Sequence, residues 1–180
     1  MIYFQDKEII IRDISLTDGI YLFTWDIDKE INAHDPRPLP DNTEELLLEC
    51  TNFCTRFNND IMNENVSSRK YIYFIITDLN DQPIGYVNFF SFNNQKKQCE
   101  MGIILGDKRY WKRGIAIKAV PIIMKQLIKE KEINRVYIET GSTNHNAIKL
   151  FEKLNFKVCD EYIEEDNDFK FIVMEYLHNS

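Results

Sequence analysis

Tyr110-Trp-Lys-Arg-Gly-Ile-Ala-Ile-Lys-Ala119 is the stretch on which the fold turns. A β-type run, residues 99–105, precedes it, and a long amphipathic helix pattern follows. A strand that ends in a short loop with a glycine at a helix mouth makes an anion site. The first backbone N–H groups of a helix lack intrahelical partners, and the macrodipole adds positive charge there. Gly114 removes the side chain that would hold a phosphate off the backbone, Ala116 keeps the next turn small, and Lys112 and Arg113 add cationic reach. An ordinary turn before a helix has the same local physics. A nucleoside-triphosphate loop is a further reading, but the stretch lacks the Gly-x-x-x-x-Gly-Lys-Ser/Thr spacing and its metal-binding hydroxyl.

Downstream, the spacing predicts a helix over 113–131 with Ile117, Val120, Ile123, Met124, Leu127 and Ile128 on its apolar side. Pro121 sits inside it and removes one hydrogen bond. A strand at 135–140, a helix opening at Asn144, and strands near 156–162 and 169–177 complete the chain. Upstream, β-rich runs at 71–77, 84–92 and 98–105 are separated by Asn80-Asp-Gln-Pro83 and Asn93-Asn-Gln-Lys96, the pattern of an antiparallel meander. Residues 8–12 read as the first strand, and Ser15-Leu-Thr-Asp18 opens a helix running to about Trp25. After Pro36, Pro38 and Pro40, Asp41-Asn-Thr-Glu44 caps a second helix with Leu46, Leu47, Cys50, Phe53, Cys54 and Phe57 at helical spacing. Residues 58–69 are polar and read as a surface loop.

A chain of 180 residues suits one domain, 1–180, with a sizeable core, and 44% hydrophobic with 13% aromatic residues excludes a disordered chain. No apolar run is long enough to span a bilayer, and Met1-Ile-Tyr-Phe-Gln-Asp6 is not a signal peptide. The expected compartment is the cytoplasm, with no membrane partner. The net charge of −7 is concentrated between Asp13 and Glu64, where twelve acidic side chains face only Lys29, Arg37 and Arg56. Such a surface repels nucleic acid and either steers a cationic partner or is simply a solvated face. Cys50, Cys54, Cys99 and Cys159 show no metal-ligand spacing and read as buried reduced thiols; His34, His145 and His178 are scattered, so no metal is expected.

Residues 110–119 together with Thr143-Asn-His-Asn-Ala-Ile-Lys-Leu-Phe-Glu-Lys-Leu-Asn-Phe156 resemble the GNAT acetyltransferase superfamily. Its cofactor motif reads Gln/Arg-x-x-Gly-x-Gly/Ala, and its next helix Asn-x-x-Ala/Ser-x-x-x-Tyr-x-x-x-Gly-Phe. Glu100-Met-Gly102 and Tyr110-Trp111 look most like the RimJ/RimL-type branch, which modifies protein N-termini and related amines. The resemblance implies an α/β (α+β) fold: a mixed, mostly antiparallel sheet of about seven strands, flanked by about four helices and split by a V-shaped cofactor cleft. The arms of the V would be residues 98–105 and 135–140.

The resemblance further implies that acetyl-CoA is the co-substrate and a primary amine the acceptor: a peptide N-terminus, an aminoglycoside-like molecule or a polyamine. It would pair the pantetheine amides with Ile103, Ile104 and Leu105, and the pyrophosphate with Lys112, Arg113, Gly114, Ile115, Ala116 and Ile117. Asn144 would touch the pantetheine arm or orient a water, or else serve only as a helix cap. Glu100 is the candidate base, with a cross-strand ion pair as its structural alternative. Phe151 stands at a cofactor position where many relatives carry a tyrosine whose hydroxyl protonates the leaving thiolate; Tyr110, Tyr137, Tyr162, Cys159 or water are the other candidate donors. Asn155 replaces the usual glycine before the aromatic, a position where Asn tolerates left-handed backbone. The rival reading is a CoA-binding sensor without turnover. The pattern leaves a homodimer open.

Overall fold

The computed structural model describes residues 1–65, 68–164 and 168–178. Among the described residues eight strands form one sheet: β1 (Ile2–Gln5), β2 (Ile10–Asp13), β3 (Ile72–Thr77), β4 (Pro83–Asn93), β5 (Gln98–Ile104), β6 (Arg135–Gly141), β7 (Lys157–Glu164) and β8 (Phe169–Leu177). Their order is β1-β2-β3-β4-β5-β6-β8-β7, and every neighbouring pair is antiparallel except β5 with β6. The helices are α1 (Gly19–Asp26), α2 (Thr43–Arg56), α3 (Ile115–Lys131) and α4 (His145–Lys153).

The inner strands of the sheet are buried on both faces, and their period of two sorts the two cores. On β3, Phe74 and Ile76 join the cluster under α3 and α4, which also holds Cys99, Met101, Ala119, Val120, Ile123 and Leu127. Ile75 points the other way, to Leu22 of α1, to Phe53 of α2 and to Phe57 just after it. Arg12 ties α1 to the sheet edge through both guanidinium Nη atoms, 2.8 and 2.9 Å from the carboxylate of Asp18. Burial opposes ionisation of Asp18, but Arg12 and Ser15 outweigh it and lower its pKa.

Several sequence expectations change here. The expected first strand is the second: residues 2–5 form an additional edge strand, too short and too exposed to show an alternation. Residues 57–61 form a π-helical turn that buries Phe57 and Ile61, so the predicted polar loop begins later than residue 58; residues 66 and 67 lie outside the described residues. Ile117 is 44% exposed on the shoulder of α3, whose core face is carried by Ile115, Ala116 and Ala119 instead. Cys54 and Cys159 are exposed, and only Cys99 is fully buried.

The end of α4 shows why Phe151 is aromatic. Asn155 is left-handed (φ 65°), the Phe156 N–H donates to the Phe151 carbonyl at 2.9 Å, and the Asn155 N–H to the Glu152 carbonyl at 3.0 Å. This is the Schellman closure, with Asn in the glycine position, and its hydrophobic contact is Phe151 against Phe156, ring centroids 5.1 Å apart. Truncation of Phe151 to alanine removes that contact from a side chain 3% exposed. Phe151→Ala is expected to lower stability by about 3–5 kcal/mol, read as a drop in urea midpoint with the m-value maintained.

Candidate active site

The parallel pair β5–β6 holds register for only three positions: Gln98 with Arg135, Cys99 with Val136, and Glu100 with Tyr137. Beyond them β5 continues to Ile104 while bound to β4, and β6 continues to Gly141 while bound to β8. The inner edges therefore diverge as a V with Glu100 at its vertex. A cleft of about 640 Å³ opens there, lined by Glu100, Ile103 and Ile104 from β5 and by Glu139, Thr140 and Gly141 from β6. Asn144 borders it while its Oδ1 accepts from the Ala147 N–H at 3.2 Å, so its helix-cap geometry and its cleft position coexist.

A non-helical segment after α1 covers the cleft, with Ile31, His34, Asp35 and Arg37 on its lining. It is fastened to both arms. Lys108, after β5, reaches Asp28 at 3.0 Å and Glu30 at 2.7 Å, and His34 Nδ1 lies 2.9 Å from Thr143 Oγ1, after β6. Trp25 of α1 lies over Gly106 so closely that a Cβ there would meet the indole ring at 2.0 Å. Glycine at 106 is what lets α1 sit over the end of β5.

The loop after β5 leads into α3 through two left-handed residues. Gly114 takes φ 78° at the mouth of α3, and a Cβ there would meet nothing within 4 Å. Lys112 is left-handed as well (φ 60°). Ile115 and Ala116 bury their side chains, while helix geometry leaves their N–H groups at the mouth. Among the described residues, neither Lys112 nor Arg113 has a carboxylate within ion-pair distance; the Arg113 guanidinium rests 5.3 Å from the Tyr110 ring centroid. The Leu105 carbonyl accepts the Trp111 indole N–H at 2.6 Å, which ties the loop back to the end of β5. These features set unpaired helix N–H groups and two cationic side chains around an open glycine, the arrangement that suits an anion. Phe151, by contrast, has its side chain in the core rather than on the cleft lining.

Glu100 is set apart electrostatically. Burial first, and the Glu139 charge second, raise its carboxyl from 4.5 to about 7; hydrogen bonds from Ser91 and Tyr137 pull the other way. Tyr137 is raised by burial and then by the charges of Glu100 and Glu139. Tyr162 is pushed up to about 12, by burial and then by its hydrogen bond to Glu139. A carboxylate poised near neutrality at the vertex of an open cleft can accept a proton from an amine.

Ser91 and Glu139 were not evident in the sequence motifs. Ser91 occupies a left-handed position (φ 51°) where the β4–β5 register slips between Phe90 and Asn93, a bulge that redirects its side chain. The only sequence trace is an unremarkable serine in a β-rich run. Glu139 could have been found by period: it follows Tyr137 by two on a strand whose Val136 and Ile138 face the core.

The pattern of the acetyltransferase (GNAT) domain matches residues 8–157. Among solved structures, spermidine N-acetyltransferase from Vibrio cholerae, in complex with CoA and spermine, is similar with a TM-score of 0.75 at 16% identity, covering 96% of this chain and 97% of that one. A domain from Methanocaldococcus jannaschii gives 0.72 at 22% identity, with 96% and 99% covered. A GNAT-family acetyltransferase from Bacillus anthracis gives 0.69 at 15%, with 98% of each covered. At such identities these likenesses speak to the fold, and the domain match to the family. The split sheet, the glycine at the mouth of α3 and the match over most of the chain agree: the protein belongs to the GNAT acetyltransferase family.

Proposed function

We propose that this protein is an acetyl-CoA-dependent N-acetyltransferase whose acceptor is a cationic primary amine of the polyamine kind. The observation that carries this reading is the raised carboxyl of Glu100 at the vertex of the V, in a cleft whose lining also contains Asp35, Glu139 and Glu164. A cleft with four carboxylates favours a polycation over a peptide N-terminus or a single neutral amine. The neighbour crystallised with CoA and spermine supports the same class. The RimJ/RimL-type wording around Glu100 and Tyr110 is compatible with this acceptor, because the domain match does not separate the branches.

In this reading the pyrophosphate lies on the N–H groups of Gly114, Ile115, Ala116 and Ile117, flanked by Lys112 and Arg113. Pantetheine amides follow the open edge of β5 at Ile103, Ile104 and the Leu105 N–H, with Asn144 across the cleft. The thioester supplies an activated acetyl group. Glu100 takes one proton from the acceptor ammonium, and the neutral nitrogen attacks the carbonyl carbon. A C–N bond forms as the C–S bond breaks, and the second nitrogen proton passes to the departing thiolate. Because an ordinary thiol has a pKa of roughly 8.5, that thiolate leaves near neutral pH without a tyrosine at position 151.

Thiol release from acetyl-CoA in the presence of spermidine tests the reading directly, and binding without release would favour the sensor alternative. Gly114→Glu places an anion in the phosphate cradle and is expected to weaken CoA binding by about 2 kcal/mol, roughly thirtyfold by calorimetry. Glu100→Gln is expected to lower kcat by about a hundredfold near pH 7, with part of the loss recovered at high pH where the free amine accumulates. The same variant carries a stability signature. The folded protein holds the Glu100 proton to about pH 7 and an unperturbed glutamate releases it near 4.5, so this group's contribution is full below 4.5 and lost as pH rises to 7. The melting temperature of Glu100→Gln relative to wild type should therefore climb between pH 4.5 and 7 and level off above. A flat difference would deny Glu100 its raised value.

A further inference from the structure

Glu139 stands on β6 just past Tyr137, the last residue paired to β5, and so on the face of the sheet that carries Glu100. Although exposed, it is not loose. The Tyr162 hydroxyl on β7 donates to its Oε2 at 2.7 Å, and the Tyr162 ring stacks on Phe171 of β8 with centroids 5.1 Å apart. One carboxylate oxygen is thus anchored and the other remains available to the cleft.

The cations at this end of the sheet are engaged elsewhere. Arg135 pairs with Glu175 at 2.5 Å and lies 4.8 Å from the Tyr137 ring centroid, and Lys170 pairs with Glu161 at 2.8 Å. Among the described residues, neither Glu100 nor Glu139 has a Lys, Arg or His within ion-pair distance. Two neighbouring carboxylates without a protein cation repel one another, and the charge of Glu139 acts on Glu100. A ligand cation between them relieves that repulsion.

We infer that Glu139, held in place by Tyr162, is the residue that binds the acceptor ammonium beside Glu100, so that one carboxylate anchors the cation and the other takes its proton. This deepens the acetyltransferase reading and rests on it. Glu139 is then a specificity residue, favouring amines that arrive charged. Tyr162 is a positioning residue that acts through it, which gives a task to a tyrosine otherwise open as a proton donor.

Steady-state kinetics with spermidine and acetyl-CoA test the assignment. Glu139→Gln is expected to raise KM for spermidine about tenfold or more, with a much smaller effect on kcat and on KM for acetyl-CoA. It should also move the acidic limb of kcat/KM to lower pH, because Glu100 loses its negative neighbour. From the sheet, Ser91, Tyr137, Glu139, Tyr162 and Glu164 surround Glu100 or share its cleft; from the covering segment, His34, Asp35 and Arg37 do. Of these, Glu139 is the anion acting on Glu100, second to burial, so its removal moves the limb down without restoring an ordinary carboxylate. Tyr162→Phe should raise KM less and add nothing in the Glu139→Gln background. A Glu139→Gln protein with wild-type KM and an unmoved limb overturns the inference. Calorimetry of spermidine with the CoA-saturated protein decides the same point without turnover: equal affinity for wild type and Glu139→Gln overturns it. A wild type that binds spermidine through Glu139 yet releases no thiol overturns only the acetyltransferase reading.

Discussion

Two parallel strands that stop pairing after three residues are the constraint on which this molecule depends. β5 is bound on its outer edge to β4 down to Ile104, and β6 to β8 up to Gly141, so each arm is held from outside while the inner edges diverge. Backbone N–H and C=O groups on those edges must find partners other than a strand. A β-structured sheet that opens this way offers a ready ladder to any ligand with amide groups in an extended arm. The same divergence sets Glu100 at the last closed rung, where burial is sufficient to raise its carboxyl and a solvent-facing cleft begins.

Charge is distributed differently from what composition suggests. In the acidic stretch, Asp18 is bound by Arg12, Asp26 by Arg37 and Arg56, Asp28 and Glu30 by Lys108, Asp41 by Lys29, and Asp60 by Lys70. Much of that excess therefore serves to fasten the segment over the V and α1 to the sheet. Exposed pairs of this kind contribute little stability each, but their placement fixes where the covering segment lies. The carboxylates that reach the cleft come chiefly from the sheet, namely Glu100, Glu139 and Glu164, with Asp35 from the stretch itself. The paired carboxylates of the acidic stretch and the carboxylates of the cleft are thus different residues.

The sequence was most legible where one local rule acts alone. The apolar period of α3 from Val120 to Leu127, the caps of α2 at Asn42 and of α4 at Asn144, and the glycine at the mouth of α3 each follow from a spacing or a backbone angle, and all are present. Legibility failed where tertiary contacts overrule local pattern. β1 is a strand because β2 offers it an edge, not because residues 2–5 alternate. The π turn at 57–61 exists because Phe57 and Ile61 fill the space beside Leu22 and Ile75. Ser91 enters the site through a register slip, and a register slip belongs to two strands at once.

Phe151 joins the two kinds of reading. At a motif position it marks the absence of a phenol; in the structure its ring closes the Schellman turn with Phe156 and faces the core. A hydroxyl at this position would extend from a ring held in packed aromatic contact, so the ring's place in the core and the lack of a donor here go together. What remains at the vertex is a carboxyl near pH 7 with hydroxyls from Ser91 and Tyr137 on it. That arrangement suits taking a proton from a cationic amine better than giving one to sulfur. In the proposed reaction the demand on this site therefore falls on deprotonating and holding the acceptor, and the leaving group is left to its own acidity.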